Sequence, residues 1–305
     1  MQRYILRRAL QGVVTLFVVT LVVFALGRLI GNPVDLLLPD DATEEDYQRI
    51  KQHLGLDKPI VQQLGIFYRN ALRGDLGDSI KYRRPVTEIF FERFPNTAKL
   101  APIVMLISIG IAIPLGVTAA FFRGRFPDKI ATFAAVFGMA TPNFWLGVVF
   151  IYIFAVFFRV LPAGGMEGPK AFILPGLTLG ISHAASMMRL LRSSMLEVIS
   201  SDYVRTARSK GLPNRMILLR HTMRNALIPV VTVGGMLLAN LFAGTLVVET
   251  VFAWPGIGQL TYQAVFFRDY PLLQAMVIAA AILMLFMNLV VDILYGFLDP
   301  RIRYS

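Results

Sequence analysis

The sequence of 305 residues contains no cysteine, and this absence excludes disulfide bonds, thiol catalysis and metal sites with thiolate ligands. Charged residues are also scarce: Asp, Glu, Lys and Arg make up 16% of the chain, whereas about a quarter is usual in soluble proteins. The 30 Lys and Arg outnumber the 19 Asp and Glu, but no soluble basic domain is present. Basic loops of a membrane protein therefore explain the positive charge better than binding to nucleic acid does.

The usual catalytic motifs are absent as well. No lysine follows a glycine, so the phosphate-binding loop G-x-x-x-x-G-K-[ST] cannot be formed. Neither H-E-x-x-H nor G-x-S-x-G occurs, and the three histidines are far apart in the sequence. We therefore predict that this chain is not an enzyme and has no catalytic residue, cofactor or metal of its own.

Long uncharged segments are abundant. A bilayer is spanned by a helix of roughly 18 or more apolar residues, and the sequence has six such runs: 9–27, 100–122, 130–158, 171–188, 225–248 and 270–291. The first run follows Arg3, Arg7 and Arg8 as in a signal peptide, but it is longer than the usual signal core of about 7–15 residues. We therefore predict an all-α membrane protein with six transmembrane helices, the first of them retained.

The distribution of charge predicts the orientation in the membrane. The N-terminus, the loops 123–129 and 189–224 and the C-terminal Arg301 and Arg303 are basic, which favours the cytoplasm for all of them. Segment 31–95 has eleven acidic and nine basic residues and is predicted to lie outside. The predicted division is 1–30 for the N-terminus and first helix, 31–95 for an extracytoplasmic segment, and 96–305 for a core of five helices with a coupling loop at 190–224.

The extracytoplasmic segment 31–95 has its own helical pattern. "ATEEDYQRIKQHLGL" and "IVQQLGIFYRNALRG" each predict an amphipathic helix, closed by Gly55 and Gly74 respectively. These helices predict a small cap on the outer face. The cap either covers the ends of the transmembrane helices or docks a partner, and the sequence leaves both alternatives open.

A basic insert, residues 202–224, interrupts the apolar core. Together with the start of the next apolar run, residues 202–229 contain six Arg or Lys and one acid, Asp202. Gly211 predicts the end of a short helix, and Pro213 predicts the start of a second helix that leads into the fifth span. Such an insert either lies on lipid phosphates as an interfacial helix or forms a rigid projection that a partner protein binds.

Ionisable residues are almost absent from the predicted spans. Only Glu249 and Asp292 lie near them, at the edges of the runs, whereas proton-driven transporters usually keep such groups at membrane depth. The chain is therefore interpreted as a conduit whose energy comes from elsewhere. Five residues are candidates for the pore or its gate, each with interhelical hydrogen bonding, packing or loop anchoring as the alternative role: His183, Ser186, Asn240, Glu249 and Trp254. For Glu249, the docking of a partner protein is a further alternative.

Several segments resemble one family in the same order along the whole chain. The insert, "DYVRTARSKG" with "RHTMRNALIPVV", resembles the cytoplasmic loop of ABC-importer permeases of the dipeptide/oligopeptide (peptide/glutathione/nickel) branch. Of the general motif E-A-A-x-x-x-G, Ala207 and Gly211 match, whereas Arg205 and Thr206 replace the glutamate and the first alanine. Similar segments elsewhere are "GDLGDSIKYRRPV", "ATPNFWLG", "LPAGG", "ILPGLTLG", "VVETVFAWPGIGQL", "RDYP" and "DPRIRY".

The resemblance implies the fold and partners of a type I ABC importer. It implies a second homologous permease subunit, two ATPase subunits that bind ATP, a periplasmic substrate-binding protein and a place in the bacterial inner membrane. This chain would form half of the pore for dipeptides, oligopeptides or related small solutes, and "GLTLG" would allow close packing between the two permeases. The residues that would couple the chain to an ATPase are Tyr203, Arg205, Thr206, Ala207, Lys210 and Gly211.

Two other functions stay open from the sequence. A stand-alone secondary transporter or channel would move its solute without ATP or partner chains. An intramembrane enzyme would need a nucleophile paired with a base, and the sequence offers no such pair.

Overall fold

A computed structural model describes residues 2–29, 43–53, 57–242 and 245–298, and the regular structure in these ranges is helical apart from one bridge between Asp78 and Pro85. The predicted tail residues Arg301 and Arg303, Gly55 and residues 31–42 of the outer segment lie outside these ranges. The α-helices are α1 (Gln2–Leu29), α2 (Glu44–His53), α3 (Ile60–Ala71), α4 (Val86–Phe121), α5 (Phe126–Ala140), α6 (Asn143–Phe150), α7 (Ile173–Ile199), α8 (Asp202–Ser209), α9 (Asn214–Met216), α10 (Met223–Phe242), α11 (Leu246–Val251), α12 (Ile257–Phe266) and α13 (Tyr270–Leu298).

The expectation of an all-α membrane protein is confirmed, whereas the count of six spans is not. Four helices are long and apolar enough to cross a membrane, namely Val86–Phe121, Pro169–Ile199, Ile217–Phe242 and Tyr270–Val291. The bent pair Phe126–Ala140 and Asn143–Phe157 provides a fifth span if both halves belong to one crossing. Helix α1 has a shorter apolar stretch, Leu10–Ala25, so its crossing stays a prediction.

The predicted span 130–158 is not one straight helix. Its halves, α5 and α6, meet at an angle of 103°. The cause is local: Pro142 disfavours helical geometry for the residue before it, and Thr141 is extended with ψ of 123°. The motif "ATPNFWLG" therefore ends one helix and starts the next.

The outer segment contains the two predicted helices, α2 and α3. Its predicted end at residue 95 falls inside α4, which begins at Val86 and continues for 36 residues. The division at 95 therefore does not coincide with a break in structure, and the domain division as a whole stays a proposal.

Helix α7 lies at the centre of the core, and of the candidate spans it is the one most buried inside the chain. It packs on α4 because Gly176 and Gly180 have no side chain: a Cβ at either would lie 2.9 Å or 2.7 Å from the side chain of Ile107. The Ser108 hydroxyl donates to the Gly180 carbonyl at 3.1 Å across this contact. The motif "GLTLG" thus packs within the chain, and the expected packing between two permeases at this motif is corrected.

Candidate functional site

The basic insert folds as the sequence predicts, into a short helix, a glycine turn and a second helix that enters a span. Helix α8 ends at Ser209, Gly211 follows with φ of 74°, and helical structure resumes at Asn214. The left-handed backbone at Gly211 is readily available to glycine alone. A Cβ at this position would meet nothing within 4 Å in the described ranges, so the turn does not pack against them.

A small apolar cluster holds the insert in shape. Val204, Ala207 and Ile217 are buried together, and Val198 from the end of α7 packs against them. At the other end of the insert, the Asn225 amide donates to the Tyr203 hydroxyl at 2.7 Å. The insert is therefore a supported projection with the helix α8 on its outside.

The structure divides the six predicted coupling residues into two groups. Tyr203, Arg205, Thr206, Lys210 and Gly211 are exposed. Ala207 is only 7% exposed and packs in the chain's own cluster, so it does not present its side chain to a partner in this conformation. Arg205 lies 3.7 Å from Asp202, but both side chains are almost fully exposed, and such a pair contributes little to stability.

The predicted pore residues do not form one cluster. His183 and Ser186 lie half-buried on α7, and Asn240 lies exposed on α10. Among the residues that the structure describes, none is a hydrogen-bond partner for the buried Nδ1 of His183. An unpaired polar atom inside a span is costly unless water, a solute or another chain reaches it.

Glu249 and Trp254, the two predicted gate residues, are fully buried inside the chain. The Trp254 indole packs edge-to-face on Phe172 with 4.7 Å between ring centroids, and its Nε1 donates to the Asn96 carbonyl at 3.2 Å. Neither residue offers a surface to a solute or a docking protein in this conformation. Of the alternatives, loop anchoring is the one that this geometry supports.

Glu249 anchors the loop by capping helix α12 from outside. The backbone N–H groups of Gly258 and Gln259 donate to its Oε2 at 2.7 and 3.1 Å, and the Thr97 hydroxyl donates to its Oε1 at 3.0 Å. A negative charge at the start of a helix is stabilised by the free N–H groups there. Burial raises the pKa of the Glu249 carboxyl, and the hydrogen bonds from these donors oppose that rise.

Thr97, Glu249, Trp254 and Gly256 are together called the Glu249 cluster below. Glycines in the neighbouring motifs leave the space that this cluster occupies. A Cβ at Gly256 would lie 2.4 Å from the oxygens of both Glu249 and Thr97. A Cβ at Gly164 of "LPAGG" would lie 2.4 Å from the Phe252 carbonyl oxygen. The motifs "LPAGG" and "VVETVFAWPGIGQL" therefore pack closely against each other.

The sequence interpretation missed one ion pair, between Asp128 on α5 and Arg192 on α7. Nε of Arg192 lies 2.6 Å from Oδ1 of Asp128, and Nη2 lies 2.8 Å from Oδ2. The Gly124 N–H donates to Oδ2 at 2.9 Å, and the Thr132 hydroxyl to Oδ1 at 3.3 Å. A signal was present in the sequence, because Asp128 is the one acid in the basic loop 123–129.

The fold and the insert together define a class of protein: a polytopic helical membrane protein that presents a supported cationic helix at one end of its core. Within the described ranges, no group of three His, Asp or Glu side chains is placed to hold a metal ion.

The comparison with known families makes the identification specific. Residues 112–304 match the family "binding-protein-dependent transport system inner membrane component", and residues 1–101 match the N-terminal family of the same transport-system membrane components. The chain belongs to this family of ABC-importer permeases. It is a multi-pass membrane protein, it works with an ATPase and a substrate-binding protein, and it is not itself an enzyme, because the ATPase is a separate subunit.

Similar proteins over the full length are named glutathione transport system permease protein GsiC. The chain is 40% identical over 306 residues to the protein of Escherichia coli O6:H1 and to that of Salmonella choleraesuis, with all of both chains covered in each case. The protein of Escherichia coli K12 is 39% identical over the same length, again with full coverage of both chains.

Solved structures share the fold. An inward-facing MetNI methionine ABC transporter superposes with a TM-score of 0.60 at 16% identity, covering 69% of this chain and 96% of the other. A chain of an amino acid ABC transporter with histidines gives a TM-score of 0.52 at 18% identity, covering 70% of this chain and 94% of the other. At these identities the likeness concerns the fold alone.

Proposed function

We propose that the chain is one of two permease subunits in an importer with two ATPases, and that its basic insert is the seat of one ATPase in the cytoplasm. The observation that carries the proposal is the pairing of an exposed cationic face on α8 with a buried base of Val204, Ala207 and Ile217. A lipid-bound interfacial helix would bury its apolar face in the membrane. Here the apolar face is covered by the chain itself, which favours a protein partner. ATP binds to that partner.

The arrangement of the first and last helices supports cytoplasmic positions for both termini. Gly12 of α1 lies beside Leu285 of α13, and the Val23 carbonyl lies beside the Gln274 amide, so the two helices run antiparallel. The start of α1 and the end of α13 are therefore at the same end of the core. The basic residues near both termini then favour the cytoplasmic side of the bacterial inner membrane.

Helix α10 is the proposed contact with the second permease. Its Asn240 amide is exposed on the same helix as the exposed apolar side chains Val231 and Met236. An amide that faced lipid would be unfavourable, whereas a partner helix or a water-filled pore satisfies it. The half-buried His183 and Ser186 on α7 are proposed to line the path of the solute.

The outer face presents a rigid platform for the substrate-binding protein. The Ser79 hydroxyl donates to Asp269 Oδ2 at 2.5 Å, the Lys81 N–H donates to the same oxygen at 3.1 Å, and the Tyr82 hydroxyl donates to Gln263 at 2.7 Å. These bonds fasten the motif "GDLGDSIKYRRPV" to α12 through Gln263 and to Asp269, the residue before α13. We assign the docking role to this fastened part of the segment 31–95.

The proposed cargo is glutathione or short peptides, because relatives with full-length similarity are named as glutathione permeases. A tripeptide with charged ends is consistent with a path that holds a histidine and hydroxyl groups rather than apolar side chains alone.

The test is reconstitution of the chain in liposomes with its co-expressed partner subunits. We expect the ATPase and a second permease to co-purify with the chain, and labelled glutathione or dipeptides to enter only with ATP and the binding protein. Ligand released from the purified binding protein is identified by mass spectrometry. Uptake by the chain alone without ATP would overturn the proposal and favour a stand-alone transporter.

A further inference from the structure

The ion pair between Asp128 and Arg192 is more constrained than a surface pair. The side chain of Asp128 is only 6% exposed and that of Arg192 is 28% exposed. Two parallel bonds fix the orientation of the guanidinium plane as well as its distance. The loop at Gly124 and the hydroxyl of Thr132 hold the carboxylate from its own side. The pair is therefore a directional link between α5 and α7.

A second contact joins the same two helices further along. A Cβ on Gly138 would lie 3.3 Å from both the Ala185 Cβ and the Ile181 Cγ2, so the helices approach closely there. Asp128 and Gly138 are ten residues apart, which is about 15 Å along a helix. Helix α5 is thus held to α7 near both of its ends. Between these two points, the buried Ala131 and Ala135 belong to the same apolar cluster as Ala184 and Met188 of α7, so the ion pair is the polar, directional part of a longer contact.

The end of α7 is in turn continuous with the basic insert. The Ser201 hydroxyl donates to the Val198 carbonyl at 2.6 Å, and Val198 packs on the cluster under α8. At the far end, α5 bends into α6, where a Cβ on Gly147 would lie 3.1 Å from the Phe252 ring. Contiguous contacts therefore lead from the exposed insert, through the ion pair, to the vicinity of the Glu249 cluster.

We propose that Asp128 and Arg192 are positioning residues for energy coupling: their ion pair makes α5 and α6 move with α7 when an ATPase displaces the basic insert. The proposal rests on the proposed function of the insert. An apolar contact at the same place would let the helices slide or rotate, because such contacts are non-directional. The bidentate pair transmits both displacement and rotation, and it stays closed during the transport cycle.

The test measures motion of α6 directly and needs no knowledge of the cargo. The chain has no cysteine, so Phe144→Cys, at a side chain 53% exposed beside the bend, takes a single environment-sensitive dye when the partner subunits are also free of cysteine. The purified complex is given ATP with vanadate, and the change in fluorescence is recorded. We expect Arg192→Gln to reduce this change at least fivefold while nucleotide binding to the ATPase is unchanged.

Two further variants complete the design. Arg192→Lys keeps the charge but loses the paired bonds, and we expect it to retain about half of the change in fluorescence. Arg125→Gln removes an exposed positive charge from the same loop as Asp128, and we expect it to behave as wild type. If Arg192→Gln lowers insertion, the comparison is made between Arg192→Lys and Arg125→Gln in equal amounts of complex.

The outcomes separate the two proposals. An undiminished change in fluorescence in Arg192→Gln or Arg192→Lys would overturn the role of the ion pair, as would a wild-type complex that binds ATP without any change at residue 144. A chain that never binds an ATPase would instead overturn the proposed function.

Discussion

At the scale of single residues, the buried Glu249 is an acidic residue whose role is structural: it holds a loop in place through hydrogen bonds. It is the first acid after the fifth apolar run, and the sequence interpretation left gating, docking and anchoring open. The structure surrounds it with hydrogen-bond donors at the start of α12 and excludes solvent. A buried carboxylate that accepts from several donors holds its loop in place, because the loss of a hydrogen bond leaves a buried donor or acceptor unsatisfied.

Replacement of Glu249 by Gln tests this role. The substitution keeps the size but places an amide N–H₂ against backbone N–H groups or the Thr97 hydroxyl. We expect a loss of roughly 1–3 kcal/mol in stability, typical of a buried donor left without an acceptor. The measurement is the thermal unfolding midpoint in detergent. Glu88→Gln, an exposed acid at the same end of the molecule, is the control and is expected to change little.

Gly211 provides a second test at residue scale, because backbone strain and side-chain bulk can be separated there. Ala and Trp both experience the strain of φ at 74°, about 1–2 kcal/mol, and the Cβ of either meets none of the described residues within 4 Å. We expect Gly211→Trp to insert normally and abolish ATP-dependent uptake, and Gly211→Ala to keep most of it. Equal uptake by the two variants would show that no partner approaches this turn.

At the scale of helices, the packing of α7 on α4 is the firmest part of the core. Gly176 and Gly180 allow the helix backbones to approach over Ile107, and Ser108 adds a hydrogen bond to the Gly180 carbonyl. Small residues have this role in membrane helices, where lipid and protein are equally apolar and close packing drives association.

A matched pair of alanine substitutions checks this packing. A Cβ at Gly180 would lie 2.7 Å from Ile107, whereas a Cβ at Gly110 of α4 meets nothing within 4 Å. We expect Gly180→Ala to lower stability by about 1–3 kcal/mol through overpacking. Gly110→Ala is expected to be neutral or stabilising, because alanine favours the helix. The thermal midpoints of both variants in detergent decide between these outcomes, and an unchanged midpoint for Gly180→Ala would contradict the close approach.

At the scale of the whole molecule, the orientation in the membrane is the property on which the proposed function depends. In the proposed orientation, the insert and the ion pair of Asp128 with Arg192 lie at the cytoplasmic end, and the Glu249 cluster with the fastened outer motif lies at the other end. In the proposed complex, the ATPase binds at the first end and the substrate-binding protein at the second.

Cysteine labelling in whole cells tests this orientation, because the natural chain has no background thiol. Leu72→Cys replaces a side chain 88% exposed at the end of α3, and Ser209→Cys lies at the exposed end of α8. We expect an impermeant maleimide to label residue 72 in intact spheroplasts and residue 209 only after permeabilisation. Labelling of residue 209 from outside would show that α8 lies on the outer side, where a cytoplasmic ATPase cannot bind it.

The sequence by itself determined the features that depend on local composition. Long apolar runs, a basic insert with Gly211 at its turn and two amphipathic outer helices follow from residue type and spacing, and the structure has them. Resemblance of ordered motifs then led to the family. These signals are short in range, so no knowledge of the neighbouring helices was needed.

The tertiary structure alone decided which side chains meet. It turned Ala207 inward, buried Glu249 and Trp254, and joined Asp128 to Arg192, 64 residues away. Such contacts arise from packing between distant segments. The sequence shows Pro142 at the bend and the lone acid Asp128 in its basic loop, but it does not say which residues these segments meet. In a chain this apolar, hydrophobicity sets which segments are helices in the membrane, whereas shape and the few polar groups set how they fit together.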